Sequence, residues 1–367
     1  MVLCCPMLLF KCRVVILLTI LRLLQTVMPQ SILQSYGLDV GTALLIPFGN
    51  GLINSTWKVV SPDGVYILQR INTAVFKHPF HIATNISFIA QHFGQHHPEY
   101  KFVAPIASLS GDELVSGNDN TYYRLFSFVE GSHTKDVVKT PAQAYEAAMQ
   151  FGRFTRLLKG FDVAELKITI PGFHDLELRY SQFQQSLISG NQLRITEAKL
   201  LIQTLISNKG IVGEYVAIKK NPDFKLRVTH HDTKISNVLF DGKDKSICVI
   251  DLDTIMPGYF ISDVGDMMRT YLCPVSEEES DLSKIEIRDD FYKAIVEGYY
   301  AEMKDELTET EKGYFFYAGK FMIYMQALRF LTDYFNDDVY YGEKYAGQNF
   351  IRAKNQLVLL QKLMEKK

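Results

Sequence analysis

The chain has 367 residues, 47% hydrophobic and 22% charged, with a net charge of −2. That length is enough for two separate cores, and the balance is that of an ordinary globular protein rather than a disordered or fibrous one. Lysines and arginines are scattered, so there is no basic field to draw in a nucleic acid, and none is expected as a partner.

Three of the five cysteines, Cys4, Cys5 and Cys12, stand at the start, and neither Cys248 nor Cys273 belongs to a C-x-x-C pair. This argues against a disulfide framework or a zinc site and fits a reducing, cytoplasmic compartment. Residues 1–28 are apolar but are interrupted by Lys11, Arg13 and Arg22. The uncharged apolar run over residues 14–21 is too short to span a bilayer, and no small-x-small cleavage site follows. Three readings stay open: a targeting or anchoring segment, a cytosolic extension, or text upstream of a true start at Met28. A membrane is not the expected partner.

Residues 29–131 read as a small nucleotide-binding lobe. Strand-like runs at 43–46 and 56–60 flank the loop Phe48-Gly49-Asn50-Gly51-Leu52-Ile53-Asn54. The turn Ser61-Pro62-Asp63-Gly64 leads to a third strand at 65–71. Gly49 and Gly51 let backbone N–H groups approach phosphates that a Cβ would block, although a plain hairpin turn has the same look. Arg70, near the end of the third strand, is a candidate phosphate-binding cation or a solvated edge arginine. The helix-like text over 80–93 holds no Asp or Glu. The acidic helix partner that a kinase strand base usually has therefore cannot be named. Strands at 113–115 and 122–129 around Gly117-Asn118-Asp119-Asn120 are expected to complete a five-stranded sheet. Phe128-Val129-Glu130-Gly131 then reads as a hinge, where Val129 and Glu130 offer backbone groups to an adenine edge.

Residues 132–367 read as a larger, mostly helical lobe. Thr140-Pro141-Ala142-Gln143 is an N-cap, a first-turn proline and a capping-box glutamine. Ala144, Ala147, Ala148, Phe151, Phe154 and Leu158 follow at helical spacing as core. Beyond Asp253, helices are expected from Asp263-Val264-Gly265-Asp266 and over 291–300, 313–335 and 348–366. The aromatic-rich text over 314–335 is too apolar for a surface helix, so it is placed at the centre.

The chemistry concentrates in His230-His231-Asp232-Thr233-Lys234-Ile235-Ser236-Asn237 and in Cys248-Val249-Ile250-Asp251-Leu252-Asp253. An H-x-D-x₄-N loop, a short strand, the polar turn at 241–245 and an acid closing the next strand are the parts of a kinase catalytic loop. Asp232 can accept the proton of an attacking hydroxyl, and Lys234 can reach a transferred phosphate. Asn237 and Asp251 are oxygen ligands suited to Mg²⁺, with ATP as the co-substrate. Read without Asp251, the loop could equally be a turn with an aspartate helix cap.

These passages resemble the aminoglycoside phosphotransferase superfamily, and within it the N-acetylhexosamine 1-kinases. The likeness covers about residues 30 to 360. It rests on the glycine loop, on Thr169-Ile170-Pro171-Gly172-Phe173-His174-Asp175, on the loop with Asp251-Leu252-Asp253-Thr254-Ile255-Met256-Pro257-Gly258, and on Arg329-Phe330-Leu331-Thr332-Asp333-Tyr334 through Tyr340. Leu52 departs from the histidine common in that family's glycine loop.

The resemblance implies an α+β, two-lobed protein-kinase-like fold. It also implies ATP-dependent phosphorylation of the anomeric hydroxyl of an N-acetylhexosamine. Asp232 would be the base, Asn237 and Asp251 the metal ligands, and Arg329 and Tyr340 the sugar contacts. A helix-surface pair between Arg329 and Asp333, and simple packing of Tyr340, are the plainer readings of the last two. Kinases acting on choline, homoserine or an aminoglycoside, or a catalytically inactive nucleotide-binding relative, are the alternatives. Asp333, Asp337 and Asp338 favour the cationic acceptors.

Overall fold

The computed structural model describes residues 30–49 and 53–366. The expectations for residues 1–28, Gly51 and Leu52 lie outside the described residues. Two compact units divide the chain. One runs to Ala83 and resumes over Val103–Glu130; the other comprises Thr84–Phe102 and Gly131–Lys367.

The first unit carries α1 (Gln30–Ser35), β1 (Leu44–Pro47), β2 (Ser55–Ser61), β3 (Gly64–Ile71) and the start of α2 (Pro79–His96). It ends with β4 (Pro105–Ile106), β5 (Val115–Ser116) and β6 (Tyr122–Ser127). The sheet is antiparallel in the order β1-β2-β3-β6-β4, with β5 also paired to β6. It has six strands rather than five. The addition is β4, whose two residues pair with Phe126 and Leu125. Two residues are too few for an alternating pattern to register. The core sets Val59, Leu68, Tyr123 and Leu125 against Ile32, Leu33 and Leu38.

The second unit is largely helical. In chain order it holds α3 (Pro141–Leu157), α4 (Leu176–Ser189), α5 (Gln192–Glu197), α6 (Lys199–Ser207) and α7 (Gly210–Lys220). Then come β7 (Arg227–Thr229), β8 (Val238–Phe240), β9 (Ser246–Val249) and β10 (Met256–Gly258). It closes with α8 (Phe260–Tyr271), α9 (Asp289–Met303), α10 (Glu309–Lys312), α11 (Phe315–Phe335) and α12 (Gln348–Met364). At the start of α3, Thr140 accepts from the Gln143 N–H at 3.3 Å, but Gln143 returns its bond to the Lys139 N–H at 2.9 Å, one residue before the N-cap.

α11 is central, buried on nearly every side. Its tyrosine hydroxyls are satisfied inside: Tyr317 donates to the Ile211 carbonyl and Tyr324 to the Leu205 carbonyl, each at 2.8 Å. α8 packs closely on α11 because position 265 is glycine; a Cβ there would stand 2.4 Å from the Ala318 carbonyl oxygen. This approach fixes α8, whose Asp263 and Asp266 accept from backbone N–H groups of the loop around Asp232. Among the described residues no helix is long and apolar enough to cross a membrane.

Candidate active site

β7 enters the loop from a rigid base. Arg227 pairs with the fully buried Glu311 at 2.7 Å, and Glu311 also closes a capping box with Thr308 at the head of α10. β7 pairs with β10 through Met256↔Thr229 and Gly258↔Arg227. After the loop, β8 and β9 form a hairpin with Val238↔Val249. The Asp241 carboxylate holds its turn by accepting from the N–H groups of Lys243 and Lys245 at 2.8 and 2.9 Å.

The loop backbone is pinned from α8. Asp263 accepts from the N–H of His230 at 3.1 Å and of His231 at 2.8 Å, and Asp266 accepts from the Thr233 N–H at 2.9 Å. The Thr233 hydroxyl donates to the Asp263 carbonyl at 2.7 Å, and Tyr271 donates to the Thr233 carbonyl at 2.6 Å. Burial pushes the Asp263 carboxyl up to about 7 despite the two backbone donors. Arg269 is clamped by Asp266 at 3.0 Å and Glu277 at 2.8 Å. The sequence marked Asp263 and Asp266 only as a helix start. Their spacing of three places both acids on one helix face, and that was the available signal of a shared partner.

This scaffold brings Asp232, Lys234 and Asn237 together. Lys234 Nζ lies 2.9 Å from the Asp232 carboxylate, and Asn237 Nδ2 donates to Asp232 Oδ2 at 3.0 Å and to its carbonyl at 2.9 Å. Burial alone would raise the Asp232 carboxyl, but the Lys234 charge, its hydrogen bond, His230 and the Asn237 amide outweigh it and hold it below the ordinary range. The residue before Asp251 is tied to the same loop: the Ile250 N–H donates to the Asn237 carbonyl at 2.9 Å. Asp251 is exposed and left-handed, with φ 60°. An aspartate held there at the end of β9 stores backbone strain of the kind that clusters at functional positions.

His231, unassigned by the sequence, is also left-handed, with φ 65°. Its buried ring sits with Nδ1 at 3.2 Å from Nδ1 of His174. Burial, with His230 adding to it, pushes the His231 imidazole down to about 4. Burial and then His231 lower His174 as well, so neither ring is charged at neutral pH. On its other side His174 stacks on Phe173, with centroids 4.4 Å apart and planes at 14°. The Arg329 guanidinium lies 5.4 Å from the Phe173 ring.

Arg329 opens a pocket of about 380 Å³ between α4, α11 and the segment after α11. Arg329 donates to Gln326 at 3.2 Å and to the Tyr340 hydroxyl at 3.3 Å. The pair with Asp333 does not form. Asp333 is buried and accepts instead from the N–H groups of Tyr340 and Tyr341 at 2.8 Å each. Asp338 is paired with Arg194 and accepts from Asn349, while Asp337 accepts from Asn191.

In the first unit, Gly49 follows β1 with φ 76°. Asn54 Oδ1 accepts from the Asn72 N–H at 3.0 Å, tying the loop end to the end of β3. Arg70 donates to the Ser55 hydroxyl at 3.2 Å; α2 supplies no acid. Val129 is half-buried and Glu130 exposed, just beyond β6.

Similar folds occur in several solved kinases. An aminoglycoside phosphotransferase from Alicyclobacillus acidocaldarius matches with a TM-score of 0.61 at 14% identity, over 92% of this chain and 96% of that one. A microcompartment-associated aminopropanol kinase matches with 0.55 at 16% identity, over 92% and 97%. Choline kinase from Cryptosporidium parvum matches with 0.54 at 11% identity, over 89% and 92%. At such identities the likeness speaks for the fold, and that fold is α+β. The sequence model of the phosphotransferase enzyme family matches residues 45–304, well over half the chain and spanning the loop around Asp232. The chain belongs to the phosphotransferase enzyme family.

Proposed function

We propose that the protein is an ATP- and Mg²⁺-dependent kinase that phosphorylates the anomeric hydroxyl of a free N-acetylhexosamine, giving the sugar 1-phosphate. Asp232 accepts the hydroxyl proton as the oxygen attacks the terminal phosphate in line. The Lys234 charge that keeps Asp232 ionised also balances charge on the moving phosphoryl group. Asn237 and Asp251 suit a hard cation. The Asn237 NH₂ group is engaged by Asp232, which turns its amide oxygen away as the remaining donor, and Asp251 adds an exposed carboxylate. Mg²⁺, when bound, supplies neutralisation of phosphate oxygens.

Residues 29–131 would serve the nucleotide: Gly49, Gly51, Asn54 and Arg70 at the phosphates, and Val129 and Glu130 through their backbone at the adenine. Residues 132–367 would serve catalysis and the sugar. Arg329 and Tyr340 meet the hydroxyls and acetamide of a neutral acceptor.

One observation carries the sugar reading. Arg329, Phe173, His174 and His231 form an unbroken run of contacts from the polar pocket to the residue before Asp232. The acids that would favour a cationic acceptor are already engaged within the protein, while Arg179 and Arg329 face the pocket. The test is a panel of sugars and amino alcohols with ATP and Mg²⁺, read as ADP release. Release with N-acetylglucosamine or N-acetylgalactosamine, but not with choline, homoserine or an aminoglycoside, supports the proposal. The reverse pattern refutes it.

A further inference from the structure

Two polar atoms of the acceptor pocket are buried without a hydrogen-bond partner: Nε of Arg179 and Oγ1 of Thr332. Buried polar groups are nearly always satisfied, so two orphans in one wall mark contacts left for a ligand. The two cations of that wall are bonded only to neutral groups. Arg179 spends its terminal nitrogens on Gln182 at 2.9 Å and the Phe173 carbonyl at 3.4 Å, and Arg329 spends its own on Gln326 and Tyr340. All four acceptors are neutral, and among the described residues neither guanidinium has an ion pair. Asp333, the carboxylate of the lining, has both oxygens committed to backbone N–H groups of Tyr340 and Tyr341. Burial and then the nearby Arg329 charge disfavour the charged form of Arg179. Two uncompensated guanidiniums in one pocket repel each other, and an anion between them removes that cost.

We propose that the acceptor pocket selects N-acetylhexosamines that carry a carboxylate away from the anomeric carbon, gripped by Arg179 together with Arg329 and Thr332. The inference rests on the sugar-kinase reading and narrows its substrate class.

The experiment compares four acceptors by kcat/KM for ADP release. They are N-acetylglucosamine, N-acetylgalactosamine, N-acetylglucosamine with a carboxyalkyl ether at O3, and N-acetylglucosamine with a carboxylate in place of the C6 alcohol. The full-length protein should favour at least one acidic acceptor over its neutral parent by about tenfold, the scale of one charge-assisted hydrogen bond. Arg179→Gln should collapse that ratio toward one, and Arg179→Lys should restore part of it. A general loss of structure would lower both acceptors alike and leave the ratio unchanged. The inference is overturned if wild type prefers the neutral sugars, or if the acidic preference survives Arg179→Gln. If no hexosamine of any charge is phosphorylated, the sugar-kinase reading itself fails.

Discussion

Gly258 offers a sharp test of how the active loop is held. Its backbone lies on β10, and the position is glycine for want of space. A Cβ there would stand 2.6 Å from Cε1 and 2.7 Å from Nε2 of His231, and 2.9 Å from the Thr229 hydroxyl. Carbon contacts are comfortable at roughly 3.5–4.0 Å, so Gly258→Ala forces an overlap of about an ångström. The ring has nowhere to go: Nδ1 abuts His174 at 3.2 Å, and the His231 N–H is fixed to Asp263 at 2.8 Å. Overpacking of this kind costs about 1–3 kcal/mol. The displaced residue adjoins Asp232, so kcat should fall while the KM for ATP holds. His231→Gly loses ring packing but relieves a left-handed side chain worth roughly 1–2 kcal/mol, so it should be tolerated. In that background Gly258→Ala should cost much less, with only the Thr229 contact remaining. Urea denaturation of the four proteins gives the coupling, expected at about 1–2 kcal/mol. Gly258→Ala as stable as wild type, or an equal cost with and without the His231 ring, would refute the reasoning.

Three further outcomes follow from the site. Asp232→Asn should lower kcat by about 10²–10⁴-fold with ATP binding retained by calorimetry; near-normal turnover would contradict its role as base. Asp251→Asn should weaken Mg²⁺-dependent nucleotide binding, and an unaltered magnesium titration would count against it as a ligand. The His231 ring, pushed down to about 4 from an ordinary 6.5, has the lower pKa in the folded state. Its contribution is therefore whole above pH 6.5 and is lost as the pH falls toward about 4, amounting to about 3 kcal/mol. Asp263, raised to about 7, acts in the opposite sense over the same range and does so in both proteins. The ring is therefore read from the difference in denaturation: between pH 7 and pH 4.5 His231→Gly should lose about 2–3 kcal/mol less than wild type, and equal changes would exclude the ring as a source.

The fold was legible where local patterns were long. The stripe from Ala144 to Leu158 and the apolar run that became α11 announce themselves by spacing and composition. β4 was not legible, because two residues make no period. Within the site, the proximity of Asp232 and Asn237 follows from one tight turn and could be read from five residues of spacing. The anchors could not. Asp263 and Asp266 act on backbone N–H groups about thirty residues upstream in the chain, and such a bond leaves no mark on the residue that donates. His231 was hidden for another reason: a histidine at φ 65° occupies a position where glycine would have signalled the turn. Arg329 and Asp333 invited a helix-surface pair by spacing, but burial and the N–H groups of Tyr340 and Tyr341 claimed the acid.

Transfer of phosphate to the anomeric oxygen is the claim on which the account stands. It is tested most directly by phosphorus NMR of the product formed from ATP, Mg²⁺ and an N-acetylhexosamine, paired with a reducing-end assay. The account predicts one new phosphomonoester coupled to the anomeric proton, with loss of the reducing end in step with ADP. An ester on any other carbon, or ADP formed with free phosphate and an intact sugar, would contradict it.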